Sequence, residues 1–155
     1  MKIRVLAVGT RMPSWVTEGC QEYTRRLPPE LALEWCDIPL GKRSRNQPVA
    51  RAIAEESERL LKAIGRDDQV VALDVKGRSV DTEGLAQALA QWQQAGRPLS
   101  VLIGGPDGLS DECLTRADMR WSLSALTLPH PLVRIVLAEQ LYRAWTVLSG
   151  HPYHK

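Results

Sequence analysis

A chain of 155 residues, 44% of them apolar, is long enough to bury a core and fits one domain over residues 1–155. A formal net charge of +2 excludes a chain built as a polycation, so the overall balance by itself does not announce a nucleic-acid partner. Three scattered cysteines, Cys20, Cys36 and Cys113, with no CxxC pair, argue against a disulfide framework or zinc site and for a reducing, cytoplasmic setting. Val5 to Val8 is too short for a signal-peptide core, and no apolar run reaches membrane-spanning length, so no membrane role is expected.

In chain order, Ile3 to Val8 reads as a first strand, rich in β-branched residues. Pro13 to Leu27 reads as a helix with Trp15, Val16, Gly19 and Tyr23 near one face, ended by Pro28-Pro29. Leu31 to Ile38 is a second strand, closed by Pro39. Val49 to Ile64 is an amphipathic helix with Ile53, Leu60, Leu61 and Ile64 inward and Glu55, Glu56, Glu58 and Arg59 outward. Gly65 is its expected C-cap. Val70 to Val75 is a third strand, apolar enough to be buried on both faces. Thr82 is the expected N-cap of a helix that runs through Ala95 and ends at Gly96. Leu99 to Ile103 is a fourth strand. Ser110-Asp111-Glu112 opens a short helix, its acids placed where the helix dipole favours them. Trp121 to Leu123 is a short fifth strand, and Leu132 to Leu148 a long final helix. Strands alternating with helices predict an α/β fold with a mostly parallel sheet.

That final helix carries only Arg134, Glu139, Gln140, Arg143 and Thr146 as polar positions, and they do not gather on one wet face. A helix apolar nearly all round is buried on more than one side. Either a second copy of the chain covers the second side, giving a symmetric homodimer, or the helix is sandwiched within one chain.

Two small-residue loops hold most of the chemistry. Gly104 to Gly108 follows the fourth strand, and Ser122 to Pro131 follows the fifth. Loops at the carboxyl ends of parallel strands form the ligand crevice of open α/β sheets. Neither is a GxGxxG or P-loop cradle, no GxSxG elbow exists, and no metal-ligand spacing is present. Hydroxyls, backbone groups and apolar side chains suit a nucleoside better than a triphosphate. Asp74 either anchors a ligand or caps a turn near Lys76-Gly77. Asp107 reads as a binder or as the centre of a Pro-Asp-Gly turn. His130, held between two prolines, either acts at the cleft mouth or caps the last helix. Gly41-Lys42-Arg43-Ser44-Arg45 is a basic loop, with no acid between Pro39 and Ala54; it is a solvated face or a phosphate contact. The tail His151 to Lys155 gathers two His, a Tyr and a Lys, types that stack on bases and contact phosphate, whereas chain ends are ordinarily frayed and inert.

Asp74 after its apolar strand, Ile103 to Ser110 (IGGPDGLS), Trp121 to Trp145 (WSLSALTLPHPLVRIVLAEQLYRAW), the terminal HPYHK, Val8 to Val16 (VGTRMPSWV) and Gly41 to Arg43 closely resemble the bacterial ribosomal RNA large subunit methyltransferase H family. The resemblance runs essentially end to end. It implies a SPOUT-class enzyme that takes S-adenosylmethionine, with an α/β sheet whose C-terminal part is tied in a trefoil knot. It implies methylation of N3 of pseudouridine 1915 in helix 69 of 23S rRNA, by a homodimer on the assembled ribosome, with no metal. Carried over by motif, Leu73, Gly105, Ser124, Ala125, Leu126, Thr127, Leu128 and Pro129 are the implied cofactor contacts, and Asp74 becomes a neighbour. Tyr153 and His154 match residues that reach the target base, and Lys155 stands where the family commonly has Arg. The imide proton of N3 must leave, so His154 or His130 is the expected acceptor. Lys42, Arg43 and Arg45, with Arg4 and Arg11, are the expected rRNA phosphate contacts. Two rivals stand beside this: a non-catalytic ribosome-associated factor, which needs no intact Ser124 to Pro129 loop, and a metal-dependent nucleotide enzyme using Asp74 and Asp107.

Overall fold

A computed structural model describes residues 1–155. Its five strands are β1 (Lys2–Val8), β2 (Ala32–Ile38), β3 (Gln69–Ser79), β4 (Leu99–Ile103) and β5 (Met119–Ser122). They form one sheet in the order β2-β1-β4-β3-β5, and every neighbouring pair is parallel. The helices are α1 (Ser14–Thr24), α2 (Val49–Ala63), α3 (Thr82–Ala95), α4 (Asp111–Arg116) and α5 (His130–Ser149).

The twofold alternation of a strand divides the core. Ile3, Val5 and Ala7 of β1 point to one face, where they join Val101 of β4, Leu85 and Leu89 of α3, and Leu137, Leu141 and Ala144 of α5. Leu6 and Val8 point to the other, with Leu102, Val70, Leu60 of α2 and Cys113 of α4. Helices therefore cover both faces, and β4 is buried along its whole length. α5 packs against both α1 and α3. The chain itself accounts for much of the apolar surface of α5, so that helix alone does not require a second subunit.

Several boundaries differ from expectation for local reasons. α3 is capped by Asp81, not Thr82: the Asp81 carboxylate accepts from the Gly84 N–H at 2.8 Å. Gly96 closes the helix in the left-handed region, as expected. Gly65 is not a left-handed cap, because α2 ends at Ile64 in extended backbone and the Gly65 N–H is taken by the Asp68 carboxylate at 2.8 Å. Ser110 caps α4 through the Cys113 N–H. α5 starts at His130, two residues before Leu132, because Pro129 and Pro131 both fit a first helical turn, where no N–H partner is needed. Trp15 faces solvent rather than the core, and Ile53 is only half-buried. The largest departure is Glu56, which periodicity places outward and the fold buries to 2% exposure.

Candidate active site

Residues Leu73 to Lys76 within β3 and the loops after β4 and β5 line a cleft of about 730 Å³ at the carboxyl end of the sheet. That size is ordinary for a site that takes one small organic ligand. β3 prepares one wall: Leu73 and Arg78 both lie opposite Trp121 across a break in register, and Asp74, Val75 and Lys76 between them turn into the cleft. Gly104 to Leu109 forms a second wall. Here the Gly108 N–H donates to the Gly105 carbonyl at 3.0 Å, and Gly108 takes φ +82°, so Pro106-Asp107 is the turn the sequence announces. The third wall is the loop after β5, which its own serines shape. Ser122 Oγ donates to the Ser124 carbonyl at 3.1 Å, and Ser124 Oγ accepts from the Leu126 N–H at 2.9 Å.

Of the residues expected to hold a cofactor, Leu73, Gly105, Ser124, Leu126, Leu128 and Pro129 line this cleft. Ala125 and Thr127 do not; they sit on the solvent side of the same loop. Leu126 is 75% exposed at the rim. Of the charged side chains lining the cleft, Asp74 and Asp107 are acidic and Lys76 basic. Two carboxylates beside one ammonium, with apolar walls, fit a nucleoside carrying a cationic group and repel a polyphosphate. Asp74 also caps its turn, accepting from the Lys76 N–H at 3.3 Å.

His130 lines the cleft with its ring already engaged. Nε2 accepts from Arg134 Nε at 3.0 Å, and Arg134 is itself tied to Asp37 at 2.7 Å and to the Gly9 carbonyl at 2.9 Å. Burial, and then the adjacent Arg134 charge, push its pKa below the ordinary histidine value against an opposing hydrogen bond with Gly104. A neutral imidazole whose acceptor nitrogen is occupied is a poor base and a good strut.

The tail lies elsewhere. α5 has 20 residues, so it holds its two ends about 30 Å apart at 1.5 Å per residue. The cleft meets its first turn, and the tail folds back along its C-terminal half as far as Glu139. The Tyr153 ring sits 4.7 Å from that of Tyr142, under the Arg143 guanidinium at 5.0 Å, and its hydroxyl donates to Glu139 at 3.3 Å. His154 Nδ1 is buried with no partner. Neither Tyr153 nor His154 lines the cleft of its own chain.

The expected phosphate contacts also separate. Lys42, Arg45 and Arg11 are exposed. Arg43 is bound to Glu56 at 2.8 Å and Asp107 at 3.1 Å. Arg4 pairs with Asp68 at 3.1 Å near the amino ends of the strands, away from the cleft. Glu56 and Arg134 were invisible as site residues, since charge in a helical pattern reads as solvent-facing. The missing acid between Pro39 and Ala54 was the one hint that the basic loop draws its counter-charge from elsewhere.

The family model described as "Predicted SPOUT methyltransferase" matches residues 1–154. The ribosomal RNA large subunit methyltransferase H of Saccharophagus degradans is 59% identical over the full length of both chains. The protein of the same name from Pseudomonas fluorescens is 56% identical, again over both full lengths. The structure of a probable methylase family protein from Haemophilus influenzae Rd KW20 superposes with a TM-score of 0.58 at 14% identity, covering 97% of this chain and 67% of the other, a likeness of fold. Similarity at that level from end to end places this chain in the SPOUT methyltransferase family, within the ribosomal RNA large subunit methyltransferase H group.

Proposed function

We propose that the protein uses S-adenosylmethionine to methylate N3 of pseudouridine 1915 in helix 69 of 23S rRNA, as a homodimer on the assembled ribosome in the cytoplasm. The carrying observation is the cleft of Leu73, Gly105 and the Ser124 to Pro129 loop, apolar and slightly acidic, with no phosphate cradle. The reading takes residues 1–155 as one domain and includes the trefoil knot of its class, which fits the meeting of the Gly104 and Ser124 loops in one cleft.

The bound sulfonium supplies a methyl group already activated for transfer, so this chain's task is alignment and proton removal. Leu73, Leu126, Leu128 and Pro129 exclude water around the nucleoside, in a loop whose shape Ser122 and Ser124 hold. The N3 imide proton needs an acceptor. His154 is assigned that role by its match to the family's tail, and Tyr153 is assigned to stack on the base. His130 is assigned to positioning, because Arg134 occupies its ring nitrogen. Neither Tyr153 nor His154 lines the cleft of its own chain, so in this reading the tail serves the cleft of a second copy. That geometry, more than the apolar character of α5, supports the homodimer. Lys42 and Arg45 are assigned to rRNA phosphate, with Lys155 adding charge beside the base.

The test is methyl-labelled S-adenosylmethionine with ribosomes from cells lacking this protein. The expected label is on N3 of that pseudouridine; label at another site, or none, contradicts the reading.

A further inference from the structure

Arg43 belongs to a network that spans the basic loop and the cleft. Its guanidinium donates through Nη1 to Glu56 Oε2 at 2.8 Å and to its own loop's Gly41 carbonyl at 3.2 Å, and through Nε to Asp107 Oδ2 at 3.1 Å. The same Glu56 oxygen accepts from the Gly41 N–H at 2.9 Å. Gly41 is required there: a Cβ would fall 2.2 Å from the Ala52 carbonyl oxygen of α2. Glu56 lies under the cleft loop, since a Cβ on Gly105 would stand 2.9 Å from its Oε1, and that oxygen is buried without a hydrogen-bond partner. One planar fork therefore joins a buried carboxylate on α2 to the exposed carboxylate at the tip of the Gly105–Gly108 turn. A lysine offers no such two-sided geometry.

We propose that Arg43 is a positioning residue for the cofactor cleft rather than a phosphate contact. By holding Asp107 against α2 it fixes the Gly105–Gly108 turn in the shape that binds the cofactor, and it leaves Lys42 and Arg45 turned outward for rRNA. The two loops then move as one body, so order imposed on the basic loop by rRNA tightens the cleft, and the reverse holds equally. This inference rests on the S-adenosylmethionine reading above.

Titration calorimetry with S-adenosylmethionine, beside ribosome sedimentation across salt, tests it in wild type, Arg43→Lys, Asp107→Asn and the double variant. Arg43→Lys keeps the charge, so ribosome affinity and its salt slope are expected to stay at wild-type values. Cofactor affinity is expected to fall roughly threefold or more. Asp107→Asn, which leaves Glu56 paired and keeps the test available if Arg43→Lys folds poorly, is expected to weaken the cofactor similarly. The double variant is expected to be no worse than the more affected single one, since both remove one contact. Wild-type cofactor affinity in Asp107→Asn, or fully additive losses, overturns the inference. So does Arg43→Lys that loses ribosome binding but not cofactor. Wild type that binds no S-adenosylmethionine overturns the underlying reading, and this inference with it.

Discussion

Glu56, Asp68 and Arg134 are the charged side chains the fold buries, and each has found a counter-charge: Arg43, Arg4 and Asp37. A lone buried charge is costly, so removing one partner hurts more than the pair stabilises. Asp68 shows this most cleanly. Burial pushes its carboxyl up, but the Ser100 hydroxyl, the Gly65 N–H and the Arg4 guanidinium outweigh burial and hold it below the ordinary aspartate value. Its stabilisation is therefore complete above the unfolded aspartate pKa of about 3.9 and is lost as pH falls through the depressed folded value. His130, also depressed, adds loss of the same sign, beginning as pH drops below about 6.5. Asp68→Asn should cost about 1–3 kcal/mol at neutral pH and should flatten the acid side of the stability profile. Urea denaturation at a series of pH values measures both; an acid limb as steep as wild type contradicts this role.

Among the elements, β4 was legible to the residue. Leu99 to Ile103 is buried on both faces, so its sequence is an unbroken apolar run apart from Ser100, bounded by Pro98 and Gly104. The inner face of α2 was not legible. Ala52, Glu56, Ser57 and Leu60 turn inward, and Glu56 is tolerated there because Gly41 and Arg43, from the preceding loop, both bond its Oε2. Periodicity reads polarity along a helix and does not see a counter-charge arriving from a loop. The cap of α3 was misplaced by one residue: Thr82 was expected, but Asp81 is also a good capping type and its carboxylate is the one that accepts from the Gly84 N–H. In the basic Gly41–Arg45 loop Lys42 and Arg45 are exposed, whereas Arg43, also exposed, is tied to Glu56 and Asp107. Lys42→Ala with Arg45→Ala should therefore weaken ribosome binding and reduce the salt slope by about one per lost contact. Sedimentation at stepped salt checks this, and an unchanged slope returns the loop to a solvated face.

At the scale of the molecule, alternating strands and helices were enough to predict a parallel α/β sheet covered on both faces, because each amphipathic pattern must bury its apolar side. The cleft followed from the same logic, since small-residue loops at the carboxyl ends of β4 and β5 have nowhere else to meet. The pattern contained a long final helix but not the packing of the tail on it, through Tyr153 against Tyr142 and Glu139. Neither Tyr153 nor His154 lines the cleft of its own chain, so the proposed chemistry, which uses both, is assigned to two chains. The direct measurement uses two differently tagged variants, His154→Ala, lacking the proposed proton acceptor, and Leu128→Arg, whose cation is placed in the cleft. Labelled methyl transfer to ribosomes is measured for each alone and for mixed-tag dimers purified after co-expression. The account predicts two inactive variants and an active mixed dimer, which pairs one intact cleft with the other chain's intact tail. A mixed dimer as inactive as its parents, or His154→Ala turning over like wild type, would contradict it.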